Sequence, residues 1–231
     1  AFLLAVYSLS FPPALQRGQR KHVPTRDLLA IFSTPSMLIL VVATLLNSIT
    51  HMFYYYGMSQ QLHYCGFAKE AIMPVMSLGQ ATEVVCMIAL GPILKRLGLK
   101  RTLLLGVLAQ AFRYVLFAFI PDGLSWRFFF LGIGLHGVAY TFFFTSAYIY
   151  VEEQATPYTR SSAQQLLSML NSGAGNFLGY LGAGFIAQHF LEAGHINFKL
   201  FWLPPALLGA GIALLLLFFR EESSRKEATG S

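Results

Sequence analysis

LGQATEVVCMIALGPILKRLGLKR, residues 78–101, is apolar for most of its length, then ends in the four cations Lys95, Arg96, Lys100 and Arg101. One acid, Glu83, lies deep in the apolar part. Wound as an α-helix at about 1.5 Å per residue, the stretch sets Glu83 roughly 18 Å from Lys95. That separation is about half the thickness of a bilayer's hydrocarbon core. The stretch therefore predicts a membrane-spanning helix with a carboxylate near its middle and a basic loop at one mouth.

The rest of the chain agrees. Of 231 residues, 55% are hydrophobic and only 11% charged, with a mean hydropathy of +0.57. Soluble domains carry about 25% charged residues. Six segments supply the roughly 20 apolar residues that a spanning helix needs. They are 35–56, 72–94, 102–120, 128–151, 163–191 and 201–219. The fold class expected is an all-α membrane protein, a six-helix transmembrane bundle over 35–219. AFLLAVYSLSFPP, 1–13, is too short to span and ends in two prolines, so it is expected to be the tail of a preceding helix. Residues 14–34 then form a loop, and 220–231 a tail. The chain is expected to be a piece of something longer, and no signal peptide is expected at its start.

The net charge of +6 sorts by side. With the first loop cytoplasmic, Arg17, Arg20, Lys21, Arg26, Lys95, Arg96, Lys100, Arg101, Arg160, Arg220, Arg225 and Lys226 share the cytoplasmic face. Only Lys69, Arg127 and Lys199 fall opposite, and Arg113 lies inside a helix. The positive-inside rule then places both ends of the chain in the cytoplasm. Topology and anionic lipid headgroups account for the basic balance, so no nucleic-acid partner is expected. Cys65 and Cys86 have no metal spacing and no expected disulfide. No cofactor is called for.

Charge at membrane depth is unfavourable by about 2.5–3.5 kcal/mol on insertion scales, and it marks function. Glu83 and Arg113 are the two formal charges within the expected spans. Glu83 is open to three roles: structural ion-pair partner of Arg113, neutral hydrogen-bonded acid, or proton- and substrate-binding group. Gln80, three residues earlier, shares its helix face. Asn47, His51, His136, Tyr140, Thr141 and Asn171 are further mid-depth polar residues. The aromatic run MFYYYG, 52–57, suits either a ring-stacking wall or an interfacial belt near a helix end. Gly175 and Gly179 form a GxxxG, widened by Gly173, Gly182 and Gly184, which suits close helix packing or a flexible gate. There is no HExxH, P-loop or GxSxG, and an enzyme is not expected.

YSLSFPP (7–13), GQATE (79–83), LKRLGLKRTLLLG (94–106), RYVLFAF (113–119), LHGVAYTFFFTSAYIYVE (135–152), RSSAQ (160–164) and FWLPPAL (201–207) follow in order. In this succession the chain resembles the C-terminal half of a major facilitator transporter. More narrowly, it resembles the nucleoside:proton symporters, or nucleoside permeases. The resemblance implies half of a twelve-helix fold in the cytoplasmic (inner) membrane. It implies proton-coupled uptake of nucleosides by alternating access, with the missing N-terminal half as partner. It associates Gln80 and Glu83 with substrate and proton handling. Thr141 stands where the family commonly has an acid. Met52 and Tyr55 stand where it has Gln and Asn, and His136 and Tyr140 match two further pocket positions with altered side chains. The expected site is thus Glu83 for proton coupling, with Gln80, Glu83, Tyr54, Tyr55, His136, Tyr140 and Thr141 around the substrate and Arg113 as ion-pair partner. The alternatives are the same fold carrying another small polar solute such as a sugar, and a non-transporting membrane scaffold or sensor.

Overall fold

Thr34 and Pro35 start the first long helix. Proline suits the first turn, where its missing N–H is not needed, and the Thr34 hydroxyl accepts the Met37 N–H at 3.3 Å. This helix, α1 (Pro35–Tyr64), is followed by α2 (Lys69–Leu97) and α3 (Leu99–Phe119). The fourth helix, α4, covers 126–154: Trp126–Ala139, a π-helical turn Tyr140–Thr145, then Ser146–Gln154. The fifth, α5, covers 160–189: Arg160–Ser168, a π-helical turn Met169–Gly175, then Asn176–His189. A short antiparallel hairpin, β1 (Leu191–Glu192) and β2 (His195–Ile196), leads into α6 (Phe198–Leu217). The structure is a computed structural model and describes Tyr7, residues 31–120 and residues 126–221. The expected helix tail at 1–13, apart from Tyr7, lies outside the described residues, as do 14–30 and 222–231. So do six of the expected cytoplasmic cations, Arg17, Arg20, Lys21, Arg26, Arg225 and Lys226.

Six rods thus occupy the six expected spans, with shifted ends. α1 runs on to Tyr64, past the apolar run that ends near 56. α6 begins three residues before its expected start because Asn197 caps it, accepting the Leu200 N–H at 3.2 Å. Caps and backbone hydrogen bonds end a helix, and hydropathy follows side chains only. The extension of α1 corrects one expectation: MFYYYG stands well inside a helix, not near its end. Five of the described helices are long and apolar enough to cross a membrane. α5 has the length, but its RSSAQQ opening is polar.

The order of packing is α2 on α4, α4 on α3, α3 on α6, α6 on α1 and α1 on α5. Two apolar cores lie at opposite ends of the bundle. One gathers Leu40, Val107, Phe143, Tyr150, Leu216 and Phe219. The other gathers Tyr54, Leu62, Tyr114, Phe117, Phe129 and Trp202. Its single indole N–H is satisfied, donating to Gln61 Oε1 at 2.9 Å, while Gln61 Nε2 donates to the Phe117 carbonyl at 2.8 Å. Between the cores, α1, α3 and α4 contribute a layer of buried polar groups: Asn47, Thr50, His51, Gln110, Arg113 and His136.

Two devices fix the rods. Gly98, at φ +76°, both ends α2 and precedes α3, a left-handed conformation that glycine adopts without strain. Beside it, Glu221 accepts the Lys100 N–H at 2.8 Å, and Lys100 Nζ donates to the Leu217 carbonyl at 2.5 Å. The second device is close approach. A Cβ on Gly175 would fall 2.4 Å from Ser48 Cβ, and one on Gly179 would fall 2.6 Å from Met52 Cβ, so α5 rides directly on α1. The wider glycine strip is divided: Gly173 and Gly184 have nothing within 4 Å of a built Cβ.

The π-helical turn of α4 seats against Gly106, where a Cβ would lie 2.6 Å from the Phe143 nitrogen. Gly106→Leu is expected to lower the thermal unfolding temperature of the full-length protein in detergent, by overpacking of about 1–3 kcal/mol. Gly211→Leu, where a Cβ meets nothing within 4 Å, is expected to leave it unchanged.

Candidate functional site

The site begins at the crossing of α2 and α4. Gly79 and Gly137 let the two backbones meet. A Cβ on Gly137 would lie 2.4 Å from the Thr82 carbonyl carbon, and one on Gly79 would lie 3.1 Å from the Ile133 oxygen. The Thr82 hydroxyl joins the helices there. It accepts the Gly137 N–H at 3.1 Å and lies 2.9 Å from the Gly134 carbonyl oxygen and 2.6 Å from that of Gly79. This clamp delivers the next residue, Glu83, to His136. The carboxylate Oε1 stands 2.8 Å from the imidazole Nε2, close but off the line of a well-aligned hydrogen bond. His136 is buried, whereas the Glu83 side chain is 18% exposed, so the pair sits at the edge of the bundle.

Behind His136 lies Arg113, with no solvent exposure. Its Nη1 is 2.9 Å from His136 Nδ1, and its Nη2 donates to the Tyr114 hydroxyl at 3.3 Å. That hydroxyl in turn donates to the Thr50 carbonyl at 2.6 Å. The guanidinium also lies over two rings, 4.4 Å from the Tyr54 centroid and 5.1 Å from that of Tyr114. His51 stacks on His136 at 5.1 Å, with its Nδ1 3.4 Å from Gln110 Oε1 and 3.5 Å from Arg113 Nη2. The Gln110 amide nitrogen faces three oxygens of α1: the Asn47 carbonyl at 3.1 Å, Asn47 Oδ1 at 3.0 Å and the Thr50 hydroxyl at 2.5 Å. His51 Nδ1 holds either a proton or a lone pair, so it donates to Gln110 Oε1 or accepts from Arg113 Nη2, one at a time, while Arg113 meets His136, whose other ring edge meets Glu83.

A cavity of about 320 Å³ opens beside this network. Tyr54, Tyr55 and Ser59 of α1, Met73, Met76, Ser77 and Gln80 of α2, His136 of α4 and Tyr180 of α5 line it. Four of the expected site residues, Gln80, Tyr54, Tyr55 and His136, thus come together on one cavity. Glu83 adjoins it through His136. Tyr140 stands behind, its ring 6.2 Å from His136 and 5.7 Å from His51. Two expected site residues stand apart from the cavity. Thr141 does not line this cavity: it is fully buried against α2, its hydroxyl 3.5 Å from the Glu83 carbonyl oxygen. Arg113 does not pair directly with Glu83, because the His136 ring stands between them. Among the described residues the close contact of the Glu83 carboxylate is with His136 Nε2. Two residues join the site without a signal in the sequence: Gln110, an uncharged amide among apolar neighbours, and Tyr180, set within a glycine strip.

The cavity lies on an open side. Val84, Val85 and Ile88 of α2 and Phe177, Leu181 and Phe185 of α5 are all more than half exposed. The profile of the family described as "Nucleoside H+ symporter" matches residues 1–224. A protein described as "Putative nucleoside transporter YegT" of Escherichia coli (strain K12) is 33% identical over 96% of this chain and 55% of its own length. The "Xanthosine permease" of the same organism is 25% identical over 95% of this chain and 55% of its own. A crystal structure of the nucleoside transporter NupG superposes with a TM-score of 0.74 at 23% identity, over 96% of this chain and 58% of that one. The chain spans about half the length of these relatives. Its six-helix bundle is half of the twelve-helix major facilitator fold.

Gln110→Leu removes the donor that joins α3 to Asn47 and Thr50 and strands buried acceptors on α1. A stability loss of about 1–3 kcal/mol is expected in thermal unfolding. The exposed Gln60, whose amide reaches only the Tyr56 carbonyl of its own helix at 3.4 Å, provides the control. Gln60→Leu is expected to be neutral.

Proposed function

The chain belongs to the nucleoside H+ symporter family, and we propose that it is the C-terminal half of a transporter that takes up nucleosides together with protons by alternating access. The observation that carries this reading is the Glu83 carboxylate, held against His136 at the edge of an aromatic-walled cavity. The family is one of membrane transporters, and no bond-breaking chemistry is assigned to the site.

Each part of the cavity suits part of a nucleoside. Tyr55 and Tyr180 offer π faces for a flat base. Gln80 offers both a carbonyl acceptor and an amide donor, which fits a base edge or a ribose hydroxyl. The Tyr54 hydroxyl is buried, with no partner among the described residues. Its position on the cavity wall suits a further hydrogen bond to the solute. At about 320 Å³ the space lies at the lower end of the roughly 300–1,000 Å³ usual for small-molecule sites. One wall of a two-walled site has this size, and the exposed apolar faces of α2 and α5 are the surfaces on which the N-terminal half would pack. In this reading residues 14–34 connect the halves, and both ends of the chain lie on the cytoplasmic side of the inner membrane.

Within one helix Glu83 meets the requirements of a coupling group. Its side chain is 18% exposed, so a proton can reach it. It is also tied to the polar layer, so its charge bears on α4 and α3. Thr141 supports a second reading, in which the same fold carries another polar solute such as a sugar, since an acid is expected at that position in the family.

Radiolabelled nucleoside uptake by the full-length protein tests the first reading. Glu83→Gln is expected to abolish the pH dependence of uptake and to lower it about tenfold to a hundredfold, the loss of a charged hydrogen bond of about 1.5–3 kcal/mol. Unchanged, still pH-dependent uptake would remove Glu83 from the mechanism. Thermal stabilisation by sugars with none by nucleosides would favour the second reading.

A further inference from the structure

A guanidinium only donates hydrogen bonds. Arg113 Nη1, 2.9 Å from His136 Nδ1, therefore requires that nitrogen to present a lone pair. In a neutral imidazole the proton then sits on Nε2. Nε2 is the atom that faces Glu83 Oε1 at 2.8 Å. Were His136 to take a second proton, its Nδ1–H would point at the N–H of Arg113, donor against donor and cation against cation.

Arg113 is itself immobilised. Tyr114 accepts from Nη2, and the Tyr114 hydroxyl is anchored on the Thr50 carbonyl. Tyr54 lies against the guanidinium face. The other ionisable groups that face the pair from each helix are His51 and Tyr55 from α1, Cys86 from α2, Tyr140 from α4 and Tyr180 from α5. α6 packs behind Tyr114 through Trp202 and adds none among the described residues. Beyond Arg113 and Glu83, the groups that face His136 directly are rings: His51, Tyr54, Tyr55 and Tyr140.

We propose that Arg113 is a positioning residue: it locks His136 in the tautomer whose Nε2–H faces Glu83, and so confines the exchangeable proton to the Glu83 carboxylate. Proton uptake is then the protonation of one carboxylate oxygen, and release is its reversal, with His136 neutral in both. This role rests on the reading of Glu83 as the coupling group.

Two measurements on the full-length protein test it. The first is the pH profile of nucleoside uptake. Arg113→Met frees Nδ1 and is expected to add an ionisation step that the wild type lacks. The double variant Arg113→Met/His136→Gln is expected to lose that step again. A uniform fall at every pH, with no added step, would overturn the proposal. The second measurement needs neither transport nor a folded Arg113 variant. In protein labelled with ¹⁵N-histidine, the His136 signals, assigned by their loss in His136→Gln, are expected to show the neutral Nε2–H tautomer throughout about pH 5–8. An imidazolium or an Nδ1–H tautomer in that range would overturn the proposal. Absence of nucleoside uptake by the wild type would instead sink the transport reading, and the tautomer measurement would still judge the role of Arg113.

Discussion

One buried cation organises this half-bundle. Arg113 has no solvent exposure, and an uncompensated charge in so dry a place is strongly destabilising. Among the described residues no carboxylate is in direct contact with it. Its compensation comes from the His136 lone pair, the Tyr114 hydroxyl and two aromatic faces, with the nearest acid one imidazole away. That solution constrains three helices at once: α3 bears the charge, α1 supplies Tyr54 and the Thr50 carbonyl that anchors Tyr114, and α4 supplies the histidine. The polar layer between the two apolar cores follows from it. Gln110 lies one helical turn before Arg113 and extends the same face to Asn47, which ties α3 to α1 on both sides of the charge.

The fourth participant is attached differently. α1 and α3 are about half buried along their apolar windows, while α2 has only 11% of its window buried. Its hold on α4 is local, at Gly79, Thr82 and Gly137, where the backbones touch. Glu83 is therefore carried on the least buried helix, and His136 is fixed in the most constrained layer. A displacement of α2 changes the Glu83–His136 distance before it changes the Arg113–His136 one. The two π-helical turns lie in α4 and α5. Such insertions are common at functional positions. Here the first seats Phe143 against Gly106 of α3 and sets the Phe144 ring beside His51 of α1, while Tyr140 at its start and His136 one turn earlier both lie beside His51.

The fold was legible in the sequence because a bilayer imposes a simple rule. A span needs roughly 20 apolar residues, and five of the described helices carry such a run, while the glycine-rich α5 opens on a polar turn. The ends were less legible, because a cap such as Asn197 or a turn such as Gly98 sets them, whatever the hydropathy. Glu83 stood out as a charge at depth, and its partner did not. Pairing by charge alone joined Glu83 to Arg113, whereas packing interposed a histidine from a third helix. Thr141 shows the same limit from the other side. Its place in the motif suggested the cavity, but its position in the π-helical turn directs it into the contact with α2. Gln110 and Tyr180 carried no signal that a one-dimensional reading could separate from ordinary helix residues.

The interposed histidine is what distinguishes this arrangement from a structural ion pair. A carboxylate in direct contact with a guanidinium is held by a charge that cannot be relieved, since arginine does not give up its proton. Such a pair is a strut, and protonating the acid would leave a buried cation without its counter-ion. With His136 between them, the two ends become separable. Arg113 keeps its contacts with Nδ1, Tyr114 and the rings whatever the state of Glu83. In the proposed tautomer Glu83 faces a neutral N–H, which can face either a carboxylate or the carbonyl oxygen of a protonated acid. The same interface therefore tolerates both protonation states without stranding a charge in the core, and a group at a cavity edge must have that property if a proton is to arrive and leave.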